Sequence, residues 1–405
     1  MFNVLGSRRH VSFVAVMLCL SIPGRVDAQR DATTVRAVRQ TPTERFAVSS
    51  GNRDWGPASI AGDLIVAGGP SGKAGLHAVD MRTGKLKWSY RPADINGSVS
   101  TPPAVVRDLA IAPFGAANPG AVIAVSLSTG KAVWRGPDPA TNATVVALGD
   151  MVYVHTKDAV FLALDAATGR EVWRRAFARQ GFCGMRPVVA GGIVYVSGRV
   201  EAVAGDASVV EGEDLRALDA RTGQEKWRYR VPAGSHARGV CLSEPVLAET
   251  TLYGLAELHL HAIDLETGRA KWKAVETRTM VDGRLRAVEV VGLIDAGAVL
   301  VGVSQTALIA FDKSSGQTAW EIPGEFKLSS SLAVAGNVLY FQGSPQSRPA
   351  AESRGTLYAL DLDSRAVLWS FSRPTEEKNW PFGSVTPVND GLWVNSYKAL
   401  VKLQP

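Results

Sequence analysis

Leu260-His-Ala-Ile-Asp-Leu-Glu-Thr-Gly-Arg-Ala-Lys-Trp272 is one of seven copies of a single pattern in this 405-residue chain. The others run Leu76–Trp88, Val122–Trp134, Phe161–Trp173, Leu215–Trp227, Leu308–Trp320 and Leu357–Trp369. Every copy has Ala third and Trp last. Six have Asp fifth, where the second copy has Ser126, and six have Gly ninth, where the last has Arg365. A repeat of this period is one supersecondary unit that buries its apolar face only against its neighbours.

Working outward from each copy, the same script recurs. In the first unit Ala58–Ile60 begins a strand, Gly62-Asp63 turns, Leu64–Ala67 is a second strand, and Leu76–Val79 is a third. Asp80–Gly84 then turns the chain into a fourth strand ending near Trp88. Four short strands per unit, with Trp-to-Trp spacings of 46, 39, 54, 45, 48 and 49, match propeller blades whose loops differ in length. No segment sustains a 3.6-residue period, so very little helix is expected.

Within a copy, Leu215 and Ala217 alternate with Arg216 and Leu218 as a strand does. Asp219 can accept hydrogen bonds from the turn that follows, Gly223 supplies positive φ, and Trp227 can cover the adjacent blade while its indole N–H finds a carbonyl.

An eighth unit is incomplete. Ser384–Val388, Leu392–Asn395 and Ala399–Leu403 supply three strands, and no Trp motif follows. Arg45–Ser49, preceded by a polar, flexible lead-in over 29–44, is expected to add the missing outer strand and leave no open edge. The expectation is an all-β fold, a single eight-bladed β-propeller over 45–405 with its last blade closed by the N-terminal strand.

Seven copies of Ala-x-Asp-x-x-Thr-Gly-x-x-x-Trp, with the departures noted and with Ser315 and Ser364 for Thr in the last two, resemble the tryptophan-docking repeat of the pyrroloquinoline-quinone-type propeller family. Within it the chain looks most like the BamB-like, non-catalytic envelope propellers, which implies that the repeat docks blades and touches no cofactor.

Arg8 and Arg9, the apolar run Val11–Ile22 and Val26-Asp27-Ala28 read as a signal peptide over 1–28. Ser7-Arg8-Arg9 leaves twin-arginine export open beside the general route. Bulky Leu18 before Cys19 argues against lipid attachment there, and no stretch reaches the ~20 apolar residues of a transmembrane span. An exported protein, periplasmic or extracellular and membrane-associated only through a partner, is expected. The formal charge is +6; residues 1–28 hold Arg8, Arg9 and Arg25 against Asp27, a net +2, which leaves +4 spread along the chain. That balance, with no basic cluster interleaved with aromatics, argues against nucleic acid.

What the repeat does not explain lies on one rim, where the chain leads into each innermost strand and where second strands join third strands. Gly-Phe-Cys183-Gly-Met-Arg186-Pro and Gly-Val-Cys241-Leu-Ser-Glu244-Pro align by their prolines. The alignment sets Cys183 against Cys241, as a candidate disulfide, and Arg186 against Glu244, as a structural ion pair or a binding pair. Arg186, Glu244, Lys327 and Trp380 are the candidate channel-mouth binding residues, with Ser98, Ser100, Ser330 and Ser384 beside them. Blades four and seven carry long joins, Gly198–Asp214 and Gly343–Gly355, and loops on a rigid scaffold are where binding usually evolves. His259 and His261 share a strand, and His77 holds the matching repeat position, but no third ligand completes a metal site by spacing.

These readings favour an exported, monomeric scaffold for a protein or peptide partner in the cell envelope, with no cofactor and no catalytic residue assigned. The alternative that the resemblance implies is a quinoprotein dehydrogenase holding pyrroloquinoline quinone with calcium at the channel mouth. The paired cysteines of its alcohol-dehydrogenase branch are absent, and Glu244 lacks evident Asn and Asp partners as calcium ligands. A saccharide-binding channel is a third reading, supported by Trp380 and the serines.

Overall fold

The computed structural model describes residues 35–49, 55–69, 75–96, 99, 101–115, 120–137, 143–156, 160–176, 187–201, 210–231, 243–256, 258–281, 283–324, 332–343, 356–372, 384–395 and 399–405. Eight four-stranded antiparallel sheets form the blades of a β-propeller, and no helix occurs among the described residues. Blade one is Ala58–Ala61, Leu64–Gly68, Leu76–Asp80 and Leu86–Tyr90, and the strands lie in space in chain order. The first strands of successive blades are neighbours, as Ala58–Ala61 is to Ala104–Val106 and Ala104–Val106 to Val146–Leu148. Second and third strands bury both faces between flanking blades, whereas the outer strands keep one side in water. Val160–Asp165 and Glu171–Ala176 of blade three show the contrast.

The repeat residues hold neighbouring blades together. Trp88 Nε1 donates to Leu127 O at 2.7 Å, Trp134 to Ala166 O at 2.9 Å, Trp173 to Ala220 O at 3.0 Å and Trp227 to Leu265 O at 2.9 Å. Each acceptor is the residue that follows position five of the next copy. Asp219 Oδ1 accepts from Arg221 N, Thr222 N and Thr222 Oγ1 at 3.0–3.1 Å, which caps the turn.

The departures at Ser126 and Arg365 are compensated. Where Ser126 replaces Asp, Asp108 from the preceding turn lends its carboxylate: it accepts from Ser126 Oγ at 2.8 Å and from Ser128 N at 3.0 Å. Arg365 keeps the left-handed conformation of the missing glycine, φ 59°, and its guanidinium lies 5.9 Å over the ring of Trp320 in the preceding blade.

Closure follows the expected scheme with two corrections. Thr43–Ser49 pairs antiparallel with Ala399–Gln404, from Thr43 opposite Gln404 to Ser49 opposite Ala399, so the closing strand starts two residues before Arg45. The lead-in expected to be flexible through Glu44 is docked over its described part. Val38 is buried, its N–H donates to Tyr340 Oη at 2.7 Å, and its carbonyl accepts from Trp369 Nε1 at 2.9 Å. Arg39 pairs with Asp361 at 2.5 Å. Blade eight has no motif to offer Trp369, and the N-terminal segment supplies the acceptor instead.

Candidate functional site

The side chains of Arg186, Glu244, Lys327 and Trp380, together with Cys183 and Cys241, lie outside the described residues, as do Ser98, Ser100 and Ser330. Glu244 is placed only through its backbone, in the innermost strand Ser243–Ala248 of blade five. Ser384 is described and is buried at the seam of blades eight and one. Its hydroxyl donates to Asn395 Oδ1 at 2.7 Å, and Asn395 Nδ2 donates to the carbonyls of Trp55 and Gly56 at 3.1 and 3.2 Å. Ser59 and Thr101 likewise donate to Pro103 O and Ala143 O in the next blades, at 2.7 and 3.2 Å. Ser384, Asn395, Ser59 and Thr101 are thus engaged in joining blades.

The histidines are structural in the same sense. His77 Nδ1 lies 2.7 Å from Ser89 Oγ, and His261 Nδ1 lies 3.1 Å from Tyr229 Oη across the seam with blade four. Burial, with Arg91 near the first and His259 near the second, holds each down to about 4. Burial alone holds His155 at about 3. His77 belongs to blade one and His261 to blade five, so the shared repeat position does not bring them together. Among the described residues no three His, Cys, Asp or Glu side chains converge.

Among the described residues two features on the rim break the blade script. In blade four the long join is largely strand. Ile193–Glu201 and Val210–Asp219 stay paired as far as Glu201 opposite Val210, beyond the point where blade three turns. At its root Asp214 is fully buried between Arg228 at 3.2 Å and Arg230 at 3.5 Å.

The second feature escaped the sequence reading. The outer strand of blade five is reduced to Val275–Glu276, and the crossover to blade six rises into a separate hairpin, Arg278–Val281 and Arg284–Ala287. Gly283, with φ 72°, closes its turn. Its root is clamped: Thr277 N donates to Leu258 O at 2.6 Å, and Thr277 Oγ1 donates to Val288 O at 2.5 Å. Buried Thr279 donates to Glu321 Oε2 of blade six at 2.7 Å. Leu258 lies at the join of the second and third strands, which places the hairpin on the same rim as the expected mouth. Arg278 opposite Ala287 and Met280 opposite Leu285 make one exposed face, on which Met280 is 49% and Leu285 58% exposed. The signal was available as Asp282-Gly283 between alternating stretches.

A family model described as outer membrane protein assembly factor BamB matches residues 25–147 and 118–371. The chain is 26% identical over 278 residues to outer membrane protein assembly factor BamB of Yersinia pestis, covering 64% of this chain and 63% of that one. It is 28% identical over 237 residues to quinohemoprotein alcohol dehydrogenase ADH IIB of Pseudomonas putida, covering 55% of this chain and 31% of the enzyme. The chain therefore spans less than two thirds of the length of either relative. Among solved structures, BamB from Moraxella catarrhalis superposes with a TM-score of 0.66 at 18% identity, covering 90% of this chain and 100% of that one, a likeness of fold.

Proposed function

Because the chain belongs to the family described as outer membrane protein assembly factor BamB, we propose that it is an exported, non-catalytic propeller that serves as a protein- or peptide-binding scaffold in the cell envelope. The observation that carries this reading is the clamped hairpin 278–287, which belongs to no blade and holds apolar side chains in water on the mouth rim. An exposed apolar patch rimmed by charge is characteristic of a contact surface. His77, His261 and the described hydroxyls at the seams are occupied in joining strands and blades, and among the described residues the paired extension of blade four and the blade-five crossover hairpin project from the rim. Removal of residues 1–28 on export and a Cys183–Cys241 bridge in an oxidising compartment belong to the same proposal.

A quinoprotein dehydrogenase is the second reading, favoured by the match to the quinohemoprotein alcohol dehydrogenase. Glu244, the acid the sequence offers as a calcium ligand, has its side chain outside the described residues, and no step through a quinone is derived. Titrating the purified chain with pyrroloquinoline quinone and calcium, while following melting temperature and dye reduction with an alcohol, separates the two. The scaffold reading expects neither a shift nor reduction, and a saturable shift with turnover would overturn it.

A further inference from the structure

The hairpin 278–287 has an open edge, and its side chains prescribe what would fill it. Strand Arg284–Ala287 pairs with Arg278–Val281 on one side and with no third strand among the described residues. Along that edge Arg284 and Arg286 alternate with Leu285 and Ala287, all four exposed. Arg278 is neutralised by Glu276, with Nε donating to Oε2 at 2.6 Å. Glu321 accepts from Thr279 Oγ1 at 2.7 Å. Arg284 and Arg286 have no carboxylate partner among the described residues.

We propose that this edge binds an extended segment of a partner protein in which acidic residues alternate with apolar ones. Added as a third strand, such a segment sets its acids beside Arg284 and Arg286 and its apolar residues beside Leu285 and Ala287, extending the face that Leu285 shares with Met280, while its backbone completes the ladder. A second copy of the same hairpin is disfavoured, because two edges carrying arginine at every second position repel. The clamp through Thr277 and Thr279 holds the edge in place before binding, which lowers the ordering cost. The proposal rests on the scaffold reading and names the partner chemistry at that site.

The test uses the full chain without its leader and a fluorescein-labelled peptide, Glu-Val-Glu-Val-Glu-Val-Glu, in an anisotropy titration. Controls are the block isomer with all acids first and the lysine counterpart. Saturable binding of the alternating acidic peptide is expected, on the order of tenfold tighter than either control. Leu285→Ser should lose that margin, and Arg284→Glu with Arg286→Glu should transfer the preference to the lysine peptide, a gain that misfolding cannot imitate. Equal binding of the block isomer, or an acidic-peptide affinity indifferent to both variants, would overturn the proposal. Capture of one envelope protein by wild type and variants alike would leave the scaffold reading standing and remove the hairpin from it.

Discussion

Phe46, in the N-terminal strand, packs against Gly84 of blade one so closely that a side-chain carbon on Gly84 would run into the Phe46 ring. Tryptophan occupies this place at five other seams, as Trp88 does over Gly130 and Trp227 over Gly268. Phe46 therefore serves as the eighth docking ring for a blade whose own sequence has none, and its edge contact with Trp393 at 5.5 Å seats it. Together with Val38 under Trp369, it makes the N-terminal segment part of the ring. Deleting residues 29–50 should lower the melting temperature and broaden the transition, and an unchanged melting curve would refute this closure.

Trp227 and Gly268 form one joint. Trp227→Ala removes the bond to Leu265 O and the ring cover, which should cost about 3–5 kcal/mol in urea unfolding. Gly268→Ala should destabilise as well, since φ is +68° and the added carbon meets Trp227 Cδ2 at 2.5 Å. The double variant should cost less than the sum, because the clash vanishes with the ring. Strict additivity would mean that the two residues do not touch.

Blade two offers a swap. Asp108→Ala leaves the Ser126 turn without its acceptor and should cost about 1–2 kcal/mol. Ser126→Asp in that background rebuilds the cap found in the other copies and should recover most of the loss. No recovery would show that Asp108 does something other than replace the repeat acid.

The buried histidines make stability depend on pH. His77 and His261 are held near 4 in the fold and titrate near 6.5 when unfolded, so between those values the unfolded chain binds more protons. Their contribution is complete above pH ~6.5 and is lost as pH falls toward ~4, by about 1.4 kcal/mol per pH unit for each. Urea midpoints should fall from pH 6.5 to pH 4.5, and His77→Gln with His261→Gln should reduce that slope, leaving the share of buried His155. A flat wild-type profile would contradict the burial.

The fold was legible because blade docking needs the same small, acidic and aromatic residues at every seam, and an incomplete last unit implies closure from the other terminus. Phe46, Val38 and Asp108 were not legible, since each replaces a motif residue from a distant strand or turn and looks ordinary in its own context. The hairpin was hidden for another reason: Arg278–Ala287 lies between two blades, where the four-strand script assigns no element, although Asp282-Gly283 marks a turn. The mouth residues chosen from sequence, Arg186, Glu244, Lys327 and Trp380, have side chains outside the described residues. The site argued above therefore rests on side chains the sequence reading passed over.

The central claim, a scaffold whose partner meets the mouth rim, is tested most directly by a photo-crosslinking residue placed in living cells at position 285 and, separately, at exposed Leu86 on the outer strand of blade one. The account predicts one discrete covalent adduct with an envelope protein from position 285 and none from position 86. The same faint background from both positions, beside a chain that binds pyrroloquinoline quinone and turns over an alcohol, would contradict it.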